Sequence, residues 1–262
     1  MNKIWRGWWT LLVVYYAHMV EYRAELLFWI LSGSLPIILM GAWVEAAQGD
    51  RFSLDAIQFA RYFISVFIVR QFTLVWVVWE FEKEVVQGKL SLRLLQPLDP
   101  GWHHFISHIS ERFARLPLVV VLLALFFALY PQAWWLPSFE QAALGGLAIA
   151  LAFLLRFLFQ YTTAMLSFWT ERASAIEEMF FLFYLFLSGF IAPLDVFPPV
   201  VSQIASWTPF PYMLYFPAAL LIGLPVDWGR GLAVIGLWAL LLGIVNRWAW
   251  RRGLRQYSGM GA

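Results

Sequence analysis

Glu82-Lys83-Glu84-Val85-Val86-Gln87-Gly88-Lys89-Leu90-Ser91-Leu92-Arg93-Leu94-Leu95-Gln96-Pro97-Leu98-Asp99-Pro100 is a charged, helix-permissive stretch closed by two prolines, and most of the chain around it is oily. An amphipathic segment hung between apolar runs can do one of two things. It can be a solvated loop between membrane helices, or it can be the place where a membrane protein meets a soluble partner. What surrounds it decides between them.

The 262 residues are 62% hydrophobic and 13% charged, with 16 Trp, 24 Phe and 10 Tyr. Soluble domains carry about a quarter charged residues, and a soluble chain this apolar would expose patches that drive association. Long uncharged runs point instead to bilayer-spanning helices. The expectation is one membrane domain over 1–262, all-α and polytopic. A net charge of +2 gives no reason to expect nucleic-acid binding, and the absence of cysteine excludes disulfides, thiol catalysis and thiolate metal sites. The aromatic start, Met1 to Trp9, lacks a small-residue cleavage site, so no cleaved signal peptide is expected.

Six spans are predicted, at about Leu26–Val44, Phe59–Trp79, Leu116–Tyr130, Ala142–Trp169, Met179–Leu194 and Gly231–Trp248. Ahead of them, residues 2–22 place Lys3, Arg6, Gly7, Thr10, His18 and Glu21 roughly on one face, with Trp5, Trp8, Trp9, Tyr15 and Tyr16 suited to the headgroup layer. That reads as an interfacial helix; an additional span is the competing reading. Two arginines fall inside predicted spans, Arg70 and Arg156. A central Arg costs roughly 3 kcal/mol. About a dozen apolar neighbours at roughly −0.3 to −0.6 kcal/mol each offset that. Both helices can insert, with the two arginines facing protein or a watery pathway. Ala142, Gly146 and Ala150 form a small-residue face against which another helix could pack closely.

Residues 193–225 hold seven of the 13 prolines, Pro193, Pro198, Pro209 and Pro211 among them. Helices must break there repeatedly. The pieces are too short to span and too oily for an exposed loop. A pair of re-entrant half-helices acting as an outer gate fits both facts, and a loop packed on the helix ends is the alternative. Orientation follows from the basic residues. Lys3, Arg6, Arg23, Lys83, Lys89, Arg93, Arg112, Arg115, Arg172, Arg247, Arg251, Arg252 and Arg255 fall on the side of both termini, against Arg51, Arg61 and Arg230 opposite. The positive-inside rule then puts both termini and the 82–112 region in the cytoplasm.

Chemical signatures are sparse. The phosphate-cradling G-x-x-x-x-G-K-[ST] is absent, since Gly88-Lys89 is followed by Leu90 and lacks the earlier glycine. His103, His104 and His108 could share a helix face, but a metal role is not the expected one for side chains near the interface with no HExxH arrangement. The predicted spans hold no deep acidic residue, which counts against a proton-coupled carrier. No cofactor, metal or catalytic group is expected on this chain.

Four places carry a resemblance to a known family: Tyr22-Arg23 before the first span; Gly88-Lys89-Leu90 with Leu94-Leu95-Gln96-Pro97-Leu98; Phe168-Trp169-Thr170-Glu171-Arg172-Ala173 leading to Ser188-Gly189 and Pro193-Leu194-Asp195-Val196-Phe197-Pro198; and Gly253-Leu254-Arg255-Gln256-Tyr257-Ser258. Their order and spacing resemble the type-two ABC transporter permeases of bacteria. The resemblance implies a six-span subunit of the inner membrane that pairs with a second permease copy, identical or homologous. It also implies two copies of a separate ATPase subunit, which holds the ATP. Export is the expected direction, with the cargo left open. The charged stretch then becomes a coupling helix over Glu84–Leu95, stopped by Pro97 and Pro100, with Glu84, Gly88, Lys89, Arg93, Leu94 and Pro97 meeting the ATPase. A membrane anchor or scaffold without transport is the other reading.

Overall fold

Four long helices begin at a side chain that accepts from their own first turn. Asp55 accepts from the Gln58 amide at 2.7 Å while Gln58 accepts back from the Asp55 amide, and Ser138 and Gln141 repeat this reciprocal box. Asp99 accepts from Gly101 and Asp227 from Arg230, each at 2.9 Å. Such caps satisfy amides that have no partner inside the helix. They fix where each apolar run starts.

The computed structural model describes residues 3–49 and 52–257, and in these all regular structure is helical. Residue 2 of the expected interfacial helix, the loop residues Asp50 and Arg51, and Ser258 lie outside this set. The helices are α1 (Lys3–Glu21), α2 (Arg23–Ser32), α3 (Leu35–Ala46), α4 (Ala56–Thr73), α5 (Val77–Val86), α6 (Leu90–Leu94), α7 (Pro100–Leu129), α8 (Phe139–Ala164), α9 (Ala173–Leu187), α10 (Pro199–Ala205), α11 (Phe210–Met213), α12 (Tyr215–Ile222) and α13 (Trp228–Gln256). Helix α8 is the hub: α4, α5, α9, α11, α12 and α13 all pack on it. Two apolar clusters lie at opposite ends. One joins Phe59, Tyr62, Phe63 and Tyr184 to Phe190, Leu214 and Phe216. The other joins Phe81, Val85 and Leu90 to Phe157, Met165, Phe168 and Trp250. The second lies at the basic end of the bundle.

Five stretches are long and apolar enough to cross a membrane: Leu27–Ala46, Ala56–Val86, Pro100–Leu129, Phe139–Phe168 and Trp228–Gln256. The expected fifth, Met179–Leu194, is not among them as one continuous helix. Helix α9 starts earlier, at Ala173, and stops at Leu187 because Ser188-Gly189 turns the chain, with Gly189 at φ 86°. Its 15 residues cover about 22 Å of a hydrocarbon core of about 30 Å, and the irregular residues 188–198 carry the chain on from there to the proline-rich end, so the segment still passes from one end of the bundle to the other. The first span is divided at Gly33-Ser34, so Pro36 sits in the first turn of α3 rather than inside one helix. There its missing N–H costs nothing. The third is extended: α7 runs unbroken from Pro100 through Pro117 to Leu129, so residues 100–112 of the expected cytoplasmic region belong to a long helix. Pro100, expected to stop a helix, starts this one.

Helix α1 is absent from the five membrane-length stretches. It lies along α7, with Trp8 edge-on to Trp102 at 4.7 Å and the Ser110 hydroxyl donating to the Leu12 carbonyl at 3.2 Å.

The expected pair of half-helices resolves into three short pieces. Pro198, Pro209 and Pro211 set the boundaries of α10 and α11, and Pro193 precedes a single 3-10 turn over Leu194–Val196. Helices α11 and α12 are buried, whereas α10 exposes Val200 and Ile204. Aromatic donors satisfy the irregular backbone here. The Tyr62 hydroxyl donates to Gly189 at 2.7 Å, and the indoles of Trp43, Trp135 and Trp238 donate to Ile191, Leu221 and Trp207. Unpaired carbonyls in an apolar setting would each be costly.

Candidate functional site

The 31-residue stretch Ala56–Val86 is not one continuous helix. It opens at Leu74-Val75-Trp76, where Leu74 is extended at ψ 133°. The backbone groups released by this break are taken up by two side chains of α7. Arg112 donates to the carbonyls of Phe72 and Leu74, the latter at 2.8 Å, and its guanidinium lies over the Phe153 ring at 3.8 Å. His108 Nε2 accepts from the Trp76 amide at 2.9 Å. Its Nδ1 donates to the His104 carbonyl at 2.7 Å, which fixes the neutral tautomer. One cation and one imidazole thus hold a hinge between α4 and α5.

Beyond the hinge, α5 ends at Val86 and the chain turns at Gly88, φ 71°, before α6. This corrects the single stiff helix expected over Glu84–Leu95. A left-handed residue cannot continue an α-helix, and glycine takes that conformation without a Cβ penalty. The corner is tied internally. Arg93 Nε meets Glu84 at 2.7 Å. The His104 ring lies between two carboxylates, Glu80 at 3.1 Å and Glu84 at 3.3 Å. Burial works against the Arg93 charge, but the Tyr15 hydroxyl and Glu84 outweigh it and hold its pKa above the usual value. Glu82 accepts from the amide and hydroxyl of Ser174, at 2.6 and 3.0 Å, and so binds the first turn of α9.

The predicted residues therefore divide. Lys89, Leu94 and Pro97 are exposed at the corner, and Gly88 makes it. Glu84, expected on the outer surface, has only 14% of its side chain exposed and points inward to Arg93 and His104. Leu92 and Leu95, 66% and 84% exposed, belong to the outer face and were not among the expected contacts. The run of four leucines in six residues, Leu90, Leu92, Leu94 and Leu95, could have flagged them, since so short a helix cannot bury all four. The hinge residues His108 and Arg112 were also missed as a pair; their i, i+4 spacing was the only signal. The three histidines serve separate partners, His103 within 3.4 Å of the Tyr15 hydroxyl. Among the described residues no group of three possible ligands could hold a metal.

Arg156 is buried, 4.1 Å over the Tyr184 ring, beside Gln160 and Glu177, which are joined at 2.8 Å. Arg70 is half-buried over Phe190 at 4.8 Å. Both face protein. Pro193, Pro198, Pro209 and Pro211 lie at the opposite end of the bundle from the corner, so the structure does not bring these three groups together.

Five membrane-length helical stretches and internally directed arginines define a polytopic helical membrane protein. No curated protein matches the chain. Residues 48–261 match the family model described as ABC-2 family transporter protein, and the chain belongs to that family. Membership makes it a membrane permease of an ABC transporter, a transport subunit rather than a catalyst, that associates with an ATP-binding partner.

Proposed function

We infer that this chain is one of two permeases in an ABC exporter of a bacterial cytoplasmic membrane, with both termini in the cytoplasm. A separate ATPase subunit docks on the α5–α6 corner. The observation that carries this reading is the turn at Gly88. It turns Lys89, Leu92, Leu94, Leu95 and Pro97 outward while Glu80, Glu82 and Glu84 tie the same segment to α7 and α9. Apolar side chains at the centre of an exposed polar surface are what a protein partner would cover.

Closure of two ATPase subunits pushes the corner. The push passes from α6 through Arg93 to Glu84 of α5, through His104 to α7, through Glu82 to the start of α9, and across the hinge at residues 74–76 to α4. The path between two permeases then opens, and the proline-rich pieces at the far end form its outer gate. Arg70 and Arg156 lie on helices α4 and α8, which this motion would shift. The test is recovery of the ATPase with the purified permease, together with reporter fusions at 86–92, after Arg255 and near Asp227. Cytoplasmic signals from the first two, an outside signal from the third, and ATPase recovery are expected. An outside signal from 86–92 would overturn the reading.

A further inference from the structure

Helix α13 carries a stripe at successive i, i+4 positions: Ala239, Gly243, Arg247, Arg251 and Arg255. Each such step turns about 40° around the helix, so the row winds from the partly buried Ala239 and Gly243 to the exposed arginines. At the basic end the inward side is set by Ala249 and Trp250, buried in the cluster there, and by Gly253, which packs on the Phe168 ring. Arg247, Arg251 and Arg255 face outward. The row and the exposed Leu240, Ile244 and Trp248, all of α13, line an open surface groove of about 690 Å³ along this one helix. A Cβ added at Gly243 would meet nothing within 4 Å, so the floor is open. Arg252 joins Arg247, Arg251 and Arg255 at the groove's basic end. None of the four belongs to an ion pair among the described residues.

We propose that this groove is a binding site for one anionic phospholipid, whose acyl chain lies over Ala239 and Gly243 and whose phosphate is held by Arg247 and Arg251. The dimensions agree. Ala239 to Arg247 is two i, i+4 steps, about 12 Å along the helix, which lies within one hydrocarbon leaflet of about 15 Å. The guanidiniums therefore stand at headgroup depth. Guanidinium forks donate to phosphate oxygens in pairs, and several neighbouring cations with no carboxylate partner favour an anionic lipid over a zwitterionic one. A second copy of the chain does not suit this face. A two-fold contact along it would set one arginine cluster against the other. The proposed orientation decides only which leaflet supplies the lipid.

The experiment is native mass spectrometry of the purified full chain with phosphatidylglycerol or phosphatidylcholine of identical acyl chains. Wild type should retain phosphatidylglycerol preferentially. Arg247→Gln and Arg251→Gln, both at exposed positions, should each weaken retention about fivefold, the scale of one basic residue at an anionic surface. Gly243→Leu keeps every charge and fills the floor, and it should also weaken retention. Equal retention of the two lipids, or retention unchanged in the arginine variants, would overturn the site. Displacement by inorganic phosphate with no effect of Gly243→Leu would make it a soluble-anion site instead. A disulfide between two Gly243→Cys chains in membranes would assign the groove to a second copy. None of these outcomes depends on ATPase recovery, so failure here and failure of the proposed function are separable.

Discussion

The Nε2 of His108 accepts a hydrogen bond from the backbone N–H of Trp76 at 2.9 Å, across 32 positions of sequence. It lets a helix break inside an apolar bundle without an orphan donor. His108→Phe keeps the ring volume and removes the acceptor. An unsatisfied buried amide costs about 1–3 kcal/mol. The variant should unfold at a lower temperature in detergent, followed by tryptophan fluorescence. A midpoint equal to that of wild type would show that the hinge does not depend on this bond.

Gly88 at φ 71° sets a graded test of the corner. Gly88→Ala adds about 1–2 kcal/mol of left-handed strain. Gly88→Pro cannot adopt the angle at all, since proline is fixed near φ −65°. Both variants should insert normally, and ATPase recovery should fall from wild type to alanine to proline. Full recovery with the proline variant would move docking elsewhere, with the Thr170–Glu178 segment the next candidate.

Leu92 and Leu95 project from the outer face of the corner. Leu92→Glu and Leu95→Glu should change stability by no more than about 0.5 kcal/mol, as surface substitutions do. The same changes should abolish recovery of the ATPase, because they place charge in the apolar centre of the contact. Parallel melting and pull-down measurements separate the two effects, and normal recovery in both variants would remove the leucines from the interface.

Glu84 faces Arg93 and His104 rather than solvent. Glu84→Lys therefore acts inside the subunit, setting a cation beside two basic groups. It should lower thermal stability by about 1–3 kcal/mol and more than Glu84→Gln does. If the lysine variant melts like wild type while losing the ATPase, Glu84 is a direct contact and the internal pairing is incidental.

Arg156 stacks on Tyr184 and Arg70 on Phe190. Arg156→Leu and Arg70→Leu remove the insertion cost of a central charge, so expression should hold or rise while transport-linked ATP turnover drops. Arg156→Lys should not rescue turnover, since an ammonium lacks the flat guanidinium that stacks on a ring. Wild-type turnover in both leucine variants would make the arginines passengers.

Much of this was legible in the chain itself. Length and continuity of apolar runs set the spans at Phe59, Leu116, Ala142 and Gly231, because the bilayer fixes a minimum length and tolerates few charges. Pro marked the far-end pieces, because it restricts the backbone locally, whereas the corner at Gly88 falls inside what reads as one helix over Glu84–Leu95. The distribution of lysine and arginine divided the two ends, and the motif order around Gly88, Glu171 and Pro193 carried the family. What the sequence could not give was which charge meets which partner. Glu84 reads as a surface carboxylate until α7 brings His104 beside it; His108 and Arg112 look like interface residues until α4 breaks opposite them; the fifth span reads as one continuous helix until Gly189 turns under Tyr62. Local composition determines where a helix can exist, but the pairing of buried polar groups depends on contacts between residues distant in the chain, and those are decided only when the helices pack.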